Sequence, residues 1–239
     1  MDKRRVAIIF FGLTRSLRNN YNNLKEMIFD ELTNNNLSYD IFIHTYKLEN
    51  PYINQWSGEK ISDYDNKSYE ILNPKYYIIE NQNNVEKMLN ISSYCSHLSD
   101  WKGCANTPYM QRYLLRNMIL ALHSKKMITS LFEKYKNNYD YVIITRPDQK
   151  LNTKINTKSF SQLTNNNIII PFEHSYYGYN DRFCIAKPNI AIKYGNALDI
   201  LKLYSKLGSV VSEVFMKDYL KLLGLNIIFS SIKSQLIRC

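Results

Sequence analysis

Apolar residues fall along this chain in two rhythms. Val6 to Phe11 is an unbroken apolar run stopped by Gly12, and Val142-Ile143-Ile144 is a β-branched run stopped by Thr145-Arg146-Pro147-Asp148. Short runs without polar alternation read as strands buried on both faces, the pattern of a parallel sheet covered by helices. Elsewhere the spacing changes to steps of three and four. Leu24, Met27, Ile28 and Leu32 share one face of a helix over Tyr21 to Leu32, closed by Asn34-Asn35-Asn36. A strand over Ile41 to Thr45 follows, completing a βαβ unit of the usual right-handed kind. The longest helical signal, Tyr109 to Tyr135, carries Met110, Leu114, Met118, Ala121, Ile128 and Tyr135 on one stripe, which reads as core packing.

The second half holds short strand signals at Ile168 to Ile170, Phe183 to Ala186 and Asn226 to Phe229. A helix is expected from Pro188 to about Tyr204, and another from an N-cap at Ser212 to Leu223, with Gly224 at its stop. The order predicts an α/β domain: a mainly parallel sheet with one antiparallel element in its second half, and no linker or internal repeat. Tyr46 to Thr107 breaks both rhythms. It offers one strand signal, Tyr76 to Ile79, and both tryptophans, Trp56 and Trp101, among Asn, Ser and Gly. Long irregular connections within a compact domain are usually functional or mobile.

Composition changes this picture only at its margins. With 239 residues, 45% of them hydrophobic, the chain can bury one large core and is no disordered tail. Lys and Arg number 31 against 21 Asp and Glu, a formal +10 that suits a polyanion, a membrane surface or a phosphorylated ligand. The densest cluster is only Lys3-Arg4-Arg5, so lysines scattered over the surface account for the excess equally well. No apolar stretch reaches the ~18 residues of a membrane span, and the apolar start lacks a signal-peptide cleavage pattern. Cys95, Cys104, Cys184 and Cys239 form no C-x-x-C pair and the four histidines lie far apart, so no structural zinc site is expected. Reduced thiols, and hence a cytoplasmic location, host cytoplasm for a viral chain, are the expectation.

In open parallel sheets ligands sit beyond the carboxyl ends of the strands. Three strand ends bear on one crevice. Gly12, Leu13, Thr14, Arg15 and Arg18 follow the first, His44 and Thr45 end the second, and Arg146 and Asp148 end the central one. Arginines there can hydrogen-bond phosphate. A strand-end carboxylate is what Mg2+ or Mn2+ bridging phosphates requires; the plain structural reading of Arg146 and Asp148 is a salt bridge pinning a turn. As a residue near solvent, Asp148 should contribute little to packing.

The segments "RVAIIFFGLTRS", "YDIFIHTY", "YDYVIITRPD", "NDRFCIAKP" and "SEVFMKDYLKLLGLNI" occur in an order that resembles a family of small GT-A-type glycosyltransferases of bacteria, algae and large DNA viruses. The resemblance runs from Val6 to about Phe229. It implies a Rossmann-like three-layer sandwich in one domain, residues 1–150 binding the nucleotide of a sugar donor, UDP-linked as first expectation, and residues 151–239 binding a glycan acceptor. It implies a hexosyl- or deoxyhexosyltransferase. Gly12 and Arg15 would border the nucleotide, Asp148 would be the last acid of a D-x-D metal motif for Mn2+ or Mg2+, and Asp181 would face sugar or acceptor. The chain departs from the family in having Arg146 where D-x-D has its first acid, so a metal would be weakly held and the arginine itself could neutralise the diphosphate.

An inverting transferase also needs a carboxylate base, for which Asp181, Glu213 and Glu173 are the candidates. Tyr176, Tyr177 and Tyr179 could stack on a sugar or base beside Asp181. Two other readings stay open: a non-catalytic nucleotide-sugar-binding protein of the same fold, and a basic single-strand nucleic-acid binder. The latter has no RNP-like or helix-turn-helix pattern behind it, so no stable nucleic-acid partner is expected. Oligomeric state and acceptor are not legible.

Overall fold

The computed structural model describes residues 3–49, 51–101 and 103–237. Strands β1 (Arg5–Phe11), β2 (Ser38–Lys47), β5 (Tyr76–Asn81), β6 (Tyr141–Thr145), β8 (Asn167–Pro171), β9 (Phe183–Ala186) and β10 (Asn226–Ser230) form one sheet, ordered β10-β8-β9-β6-β1-β2-β5. Every neighbouring pair is parallel except those of β9, which runs antiparallel to both β6 and β8. Two small hairpin-like pairs lie outside it: β3 (Tyr52–Asn54) with β4 (Glu59–Ile61), and β7 (Gln149–Leu151) with β11 (Ser234–Leu236). The expected mainly parallel α/β sheet with one antiparallel element is what the chain forms.

The unbroken apolar runs are explained by burial on two faces. Successive strand side chains point to opposite sides of a sheet. Ala7, Ile9, Phe11, Val142 and Ile144 belong to one core, and Val6, Ile8, Phe10, Tyr141 and Ile143 to another. The first core lies under α4 (Pro108–Glu133), α5 (Pro188–Gly195), α6 (Leu198–Tyr204) and α7 (Ser212–Leu222); the second lies under α1 (Leu17–Leu24) and α2 (Asp30–Asn34). Burying one such side chain is worth about 1.5–3 kcal/mol, so losing either helical layer would expose the whole face of the sheet that it covers.

Local signals set the helix ends. Thr107 accepts the Met110 amide and Pro108 opens α4, the N-cap and first-turn arrangement expected for a long helix. A short helix α3 (Gln82–Leu89) follows β5 directly, capped by Asn81. Several expectations are corrected. The first helix begins at Leu17 and passes through a π turn over Lys25–Phe29, where the Met27 carbonyl accepts the Ile155 amide. The helix expected from Pro188 to Tyr204 is two, broken at Asn196 and Ala197. Ser212 is not a cap: it is the first residue of α7 and its hydroxyl is spent on Asp181. Cys95, Cys104 and Cys184 are free thiols, and Cys239 lies outside the described residues. Among the described residues no helix is long and apolar enough to cross a membrane.

Gly195 allows α5 to approach α4 closely. A Cβ there would stand 2.1 Å from Thr129 Oγ1 and 2.6 Å from Thr129 Cβ. Thr129 cannot swing aside cheaply, because its hydroxyl donates to the Lys125 carbonyl at 2.9 Å. Alanine would gain up to about 1 kcal/mol in helix propensity, but the overlap costs about 1–3 kcal/mol. Gly195→Ala is therefore expected to lower the melting temperature, by roughly 2–4 °C per kcal/mol lost, and Thr129→Ala in the same chain, which removes Oγ1 and Cγ2 but leaves Cβ at 2.6 Å, to recover only part of it. Thermal denaturation of the two variants checks this; an unchanged Gly195→Ala would refute the close approach.

Candidate active site

β1 and β6 are neighbours from which the chain proceeds toward opposite edges of the sheet, β1 to β2 and β6 to β8 and β9, so their carboxyl ends frame a crevice where the strand order reverses. Two arginines meet there on one carboxylate. Arg146 grips Asp148 side-on, Nε to Oδ1 at 2.8 Å and Nη2 to Oδ2 at 2.7 Å, and Arg15 Nη2 donates to the same Oδ2 at 2.8 Å. Arg15 also donates to the Tyr52 hydroxyl and lies 3.5 Å from Glu59, both on the small β3–β4 pair. The turn is fastened from below, since Asn20 Nδ2 on α1 donates to the carbonyls of Pro147 and Gln149, each at 2.9 Å.

Burial makes this pairing obligatory. The side chains of Asp148 and Arg15 are 1% and 4% exposed, while that of Arg146 is 25% exposed. Charges this deep persist only when paired. Burial disfavours the Arg146 cation, but the Asp148 carboxylate more than offsets that and keeps the guanidinium firmly protonated.

This geometry bears on the expected metal. Both oxygens of Asp148 accept guanidinium N–H groups, and the position two residues before it is an arginine. A divalent ion at Asp148 would have to displace Arg15 or Arg146, so this donor set does not fit one. Asp148 acts here as an anchor that aims two cations. Nor is it a marginal contributor to packing, as its place near a strand end suggested.

The remaining expected residues divide. The Gly12 amide donates to Ser124 Oγ on α4 at 2.7 Å, and Thr14 N and Oγ1 bond the Tyr64 hydroxyl and Ser68 Oγ. Leu13 packs against Tyr46, Val85 and Leu120. The irregular segment after β2 is thus the buttress of the β1 loop. Arg18 points elsewhere: its side chain is 63% exposed and pairs with Asp65 at 2.6 Å, giving no support to a phosphate contact. His44 and Thr45 are wholly buried at the end of β2.

Asp181 lies near the arginines and interacts electrostatically with Arg146. Its Oδ2 accepts the Ser212 hydroxyl at 2.5 Å, Arg182 stands at 3.8 Å, and its carbonyl accepts Lys125 Nζ at 3.0 Å. Burial pushes its carboxyl up, but Arg182 and Lys125 outweigh this and hold it below the usual range, ionised at neutral pH. Lys125 is fully buried between the rings of Phe11 and Tyr194, with Nζ 4.7 and 4.3 Å from their centroids, and burial pulls its pKa down to about 8.

Glu213 is buried in the first turn of α7 and its carbonyl accepts the Tyr179 amide at 2.8 Å. Gly178 passes so near that a Cβ there would lie 1.9 Å from this carbonyl oxygen. Glu173 Oε2 accepts the Ser234 amide at 2.6 Å at the edge of a groove of about 640 Å³, lined by Phe172, His174, Tyr176, Tyr177 and Lys233. Tyr176 and Tyr177 are exposed and held at φ 38° and 69°, left-handed backbone that a tyrosine adopts only under constraint.

Sequence reasoning missed Tyr52 and Glu59, which lie in the irregular segment, and three consecutive residues of α4: His123, Ser124 and Lys125. All three are buried. A run of polar residues on a helix otherwise packed with Leu, Ile and Met was the available signal. His123 and His44 share Glu80: His44 Nε2 and His123 Nε2 lie 2.8 and 2.7 Å from Glu80 Oε2. Burial lowers the His44 pKa, and the His44 hydrogen bond draws Glu80 down to about 2.

No family model matches the chain, and no curated protein matches its sequence. Among solved structures it is similar to mouse xyloside xylosyltransferase 1 in its apo form, with 11% identity, a TM-score of 0.44, and coverage of 95% of this chain and 84% of that one. It is also similar to the galactosyltransferase LgtC in complex with donor and acceptor sugar analogs, with 7% identity, a TM-score of 0.47, and coverage of 93% and 72%.

Removing the shared carboxylate strands a buried guanidinium. Asp148→Ala is expected to destabilise the fold by about 3–5 kcal/mol, whereas Arg146→Met, at a position that reaches solvent, should cost less than half as much. Urea unfolding of both variants decides; an Asp148→Ala chain as stable as the parent would show that the arginines find other partners.

Proposed function

We propose that the protein is a glycosyltransferase that moves a sugar from a nucleotide-diphosphate donor, UDP-linked in the first instance, to a glycan or glycoconjugate. The observation that carries this reading is the pair of arginines aimed by Asp148 at the crevice where β1 and β6 diverge. The sequence resemblance to small GT-A-type transferases adds to it, and with it a division into a nucleotide-binding half, residues 1–150, and an acceptor-binding half, residues 151–239.

In such a transfer the bond from the anomeric carbon to the phosphate oxygen breaks, and the diphosphate leaves with the electron pair. The acceptor oxygen bonds to that carbon and gives up its proton. Stabilising the departing charge is the main electrostatic demand. Arg146 uses Nε and Nη2 on Asp148. Nη1 takes no part in that grip, and in this reading it is the edge that meets phosphate oxygens. Arg15 holds Asp148 from the other side. In this reading fixed side-chain cations supply the neutralisation that a D-x-D metal supplies elsewhere.

Asp181 is the carboxylate we assign to the reacting sugar. It remains ionised, Ser212 orients it, and it shares the crevice with Arg146. Glu213 lies beneath the tyrosine loop and Glu173 at the rim of the groove, where the exposed rings of Tyr176 and Tyr177 offer faces for an acceptor glycan.

The test has two arms. Uridine diphosphate, or another nucleoside diphosphate, should raise the melting temperature by mass action. In a donor-hydrolysis assay Arg146→Ala should lose about 10²–10³ in turnover with its thermal transition retained. A panel of nucleotide sugars and single-stranded DNA in which only the DNA stabilises the fold would refute the proposal. Stabilisation by a nucleotide sugar without any turnover would leave a binding protein of the same fold.

A further inference from the structure

A second polar centre lies one strand away from the arginines, at the ends of β2 and β5. His44 comes from β2, Glu80 from β5, and His123 from α4, positions far apart in sequence that the sheet and its covering helix bring together. Their ligating atoms all lie within 4.8 Å of one another. The two rings are nearly perpendicular, with centroids 5.9 Å apart and an interplanar angle of 84°. Their Nε2 atoms converge on one carboxylate oxygen, each turned away from its own backbone.

We propose that His44, Glu80 and His123 form a binding site for Zn2+, independent of the arginine cluster. Two imidazole nitrogens and one carboxylate oxygen make the three-ligand set with which proteins hold zinc while leaving a fourth position for water. Hard ions such as Mg2+ and Ca2+ prefer all-oxygen cages, whereas imidazole favours zinc and its neighbours in the first transition row. Metal–ligand bonds of about 2.0–2.1 Å in a tetrahedron put ligands about 3.3 Å apart. The observed Nε2 to Oε2 separations of 2.8 and 2.7 Å need to open by only about half an ångström. Glu80 can provide this, since its side chain is 25% exposed while His44 and His123 are 0% and 5% exposed. The open coordination position then faces the Glu80 side.

The surroundings match what such a site needs. A zinc-ligating histidine normally donates its other ring N–H to an acceptor that fixes its tautomer. His44 Nδ1 lies 2.7 Å from Ser124 Oγ, which is also 3.2 Å from the His44 carbonyl. In the metal-free form the Ser124 hydrogen can serve Nδ1 while Nε2–H serves Glu80. On binding, the His44 proton moves to Nδ1 and bonds Ser124 Oγ, the hydroxyl turns to the carbonyl, and Nε2 is available to zinc. His123 would likewise present Nε2, the nitrogen now 2.7 Å from Glu80 Oε2, to the metal. Tyr46 walls the site, its ring 5.0 Å from His44 and 6.5 Å from His123, and its hydroxyl is fastened to the Leu120 carbonyl at 2.7 Å. Ser124 also accepts the Gly12 amide, so metal bound here would stiffen the β1 loop that frames the crevice.

The test reads metal, not turnover, and so stands or falls separately from the transferase reading. Chelator-treated protein is titrated with Co2+, a spectroscopic stand-in for zinc. Expected is one equivalent bound with the intense visible bands of four-coordinate Co2+, displaced by one equivalent of Zn2+, and a melting temperature raised by about 5–10 °C at a hundredfold excess over the dissociation constant. His123→Asn and Glu80→Gln, at sites nearer the surface than His44, should abolish the bands while keeping a cooperative thermal transition. Ser124→Ala should weaken binding about 10- to 100-fold. Absence of visible bands and of any thermal shift would overturn the proposal, as would Co2+ binding that is undiminished in both His123→Asn and Glu80→Gln. Stronger stabilisation by Mg2+ than by Zn2+ would overturn it too.

Discussion

The carboxylate of Asp148 is the point on which the crevice depends. One side chain, almost wholly buried, accepts from arginines that arrive from the ends of two adjacent strands. Losing it would leave Arg15, 4% exposed, with Glu59 at 3.5 Å as its remaining carboxylate, and a poorly paired buried charge is costly. Arg15 in turn could not reach it unless β1 and β6 were adjacent and parallel, whereas Arg146 stands on the same turn. Thus the sheet topology, the turn Thr145-Arg146-Pro147-Asp148 and the loop after Gly12 are one structural unit. The β3–β4 pair closes it by supplying Tyr52 and Glu59 to Arg15.

A second dependence runs through α4. Its length lets one face pack against the sheet while three successive buried polar residues bear on three different neighbours. His123 meets Glu80, Ser124 meets His44 and the Gly12 amide, and Lys125 meets the Asp181 carbonyl. Polar groups buried in this way are tolerated because every one finds a partner. The helix therefore connects the β1 loop, the histidine pair and the second half of the chain through a single element. Substitution anywhere in this triplet would be felt at more than one place.

The electrostatics of the two centres differ in kind. Around Asp148 the charges are fixed: arginines do not lose their protons, so the local field is the same across any physiological pH. At the histidine pair the tautomer responds to what is bound, and burial favours the neutral ring of His44. The first arrangement suits the neutralisation of a permanently charged diphosphate. The second suits an ion that takes the ring nitrogens once their protons have moved to the far side of the imidazole.

The layers were legible in the chain's local pattern. Apolar runs at Val6 to Phe11 and Val142 to Ile144 could only be strands covered on both faces, and the stripe from Met110 to Tyr135 could only be a helix against them, because period and burial are properties of local pattern. It also placed Arg15, Arg146 and Asp148 at strand ends, and with them the crevice. What it could not determine was who pairs with whom. That Asp148 is saturated by two arginines, that Ser212 serves Asp181 rather than capping its helix, and that Arg18 turns to Asp65 are contacts between residues distant in sequence or in direction. Glu80 and His123 carry no local signature, since 43 positions separate them and only the parallel pairing of β2 with β5 beneath α4 brings their side chains within 2.7 Å. Short-range periodicity decides which surface a residue faces, while its chemistry is set by whichever side chains the long-range packing delivers to that surface.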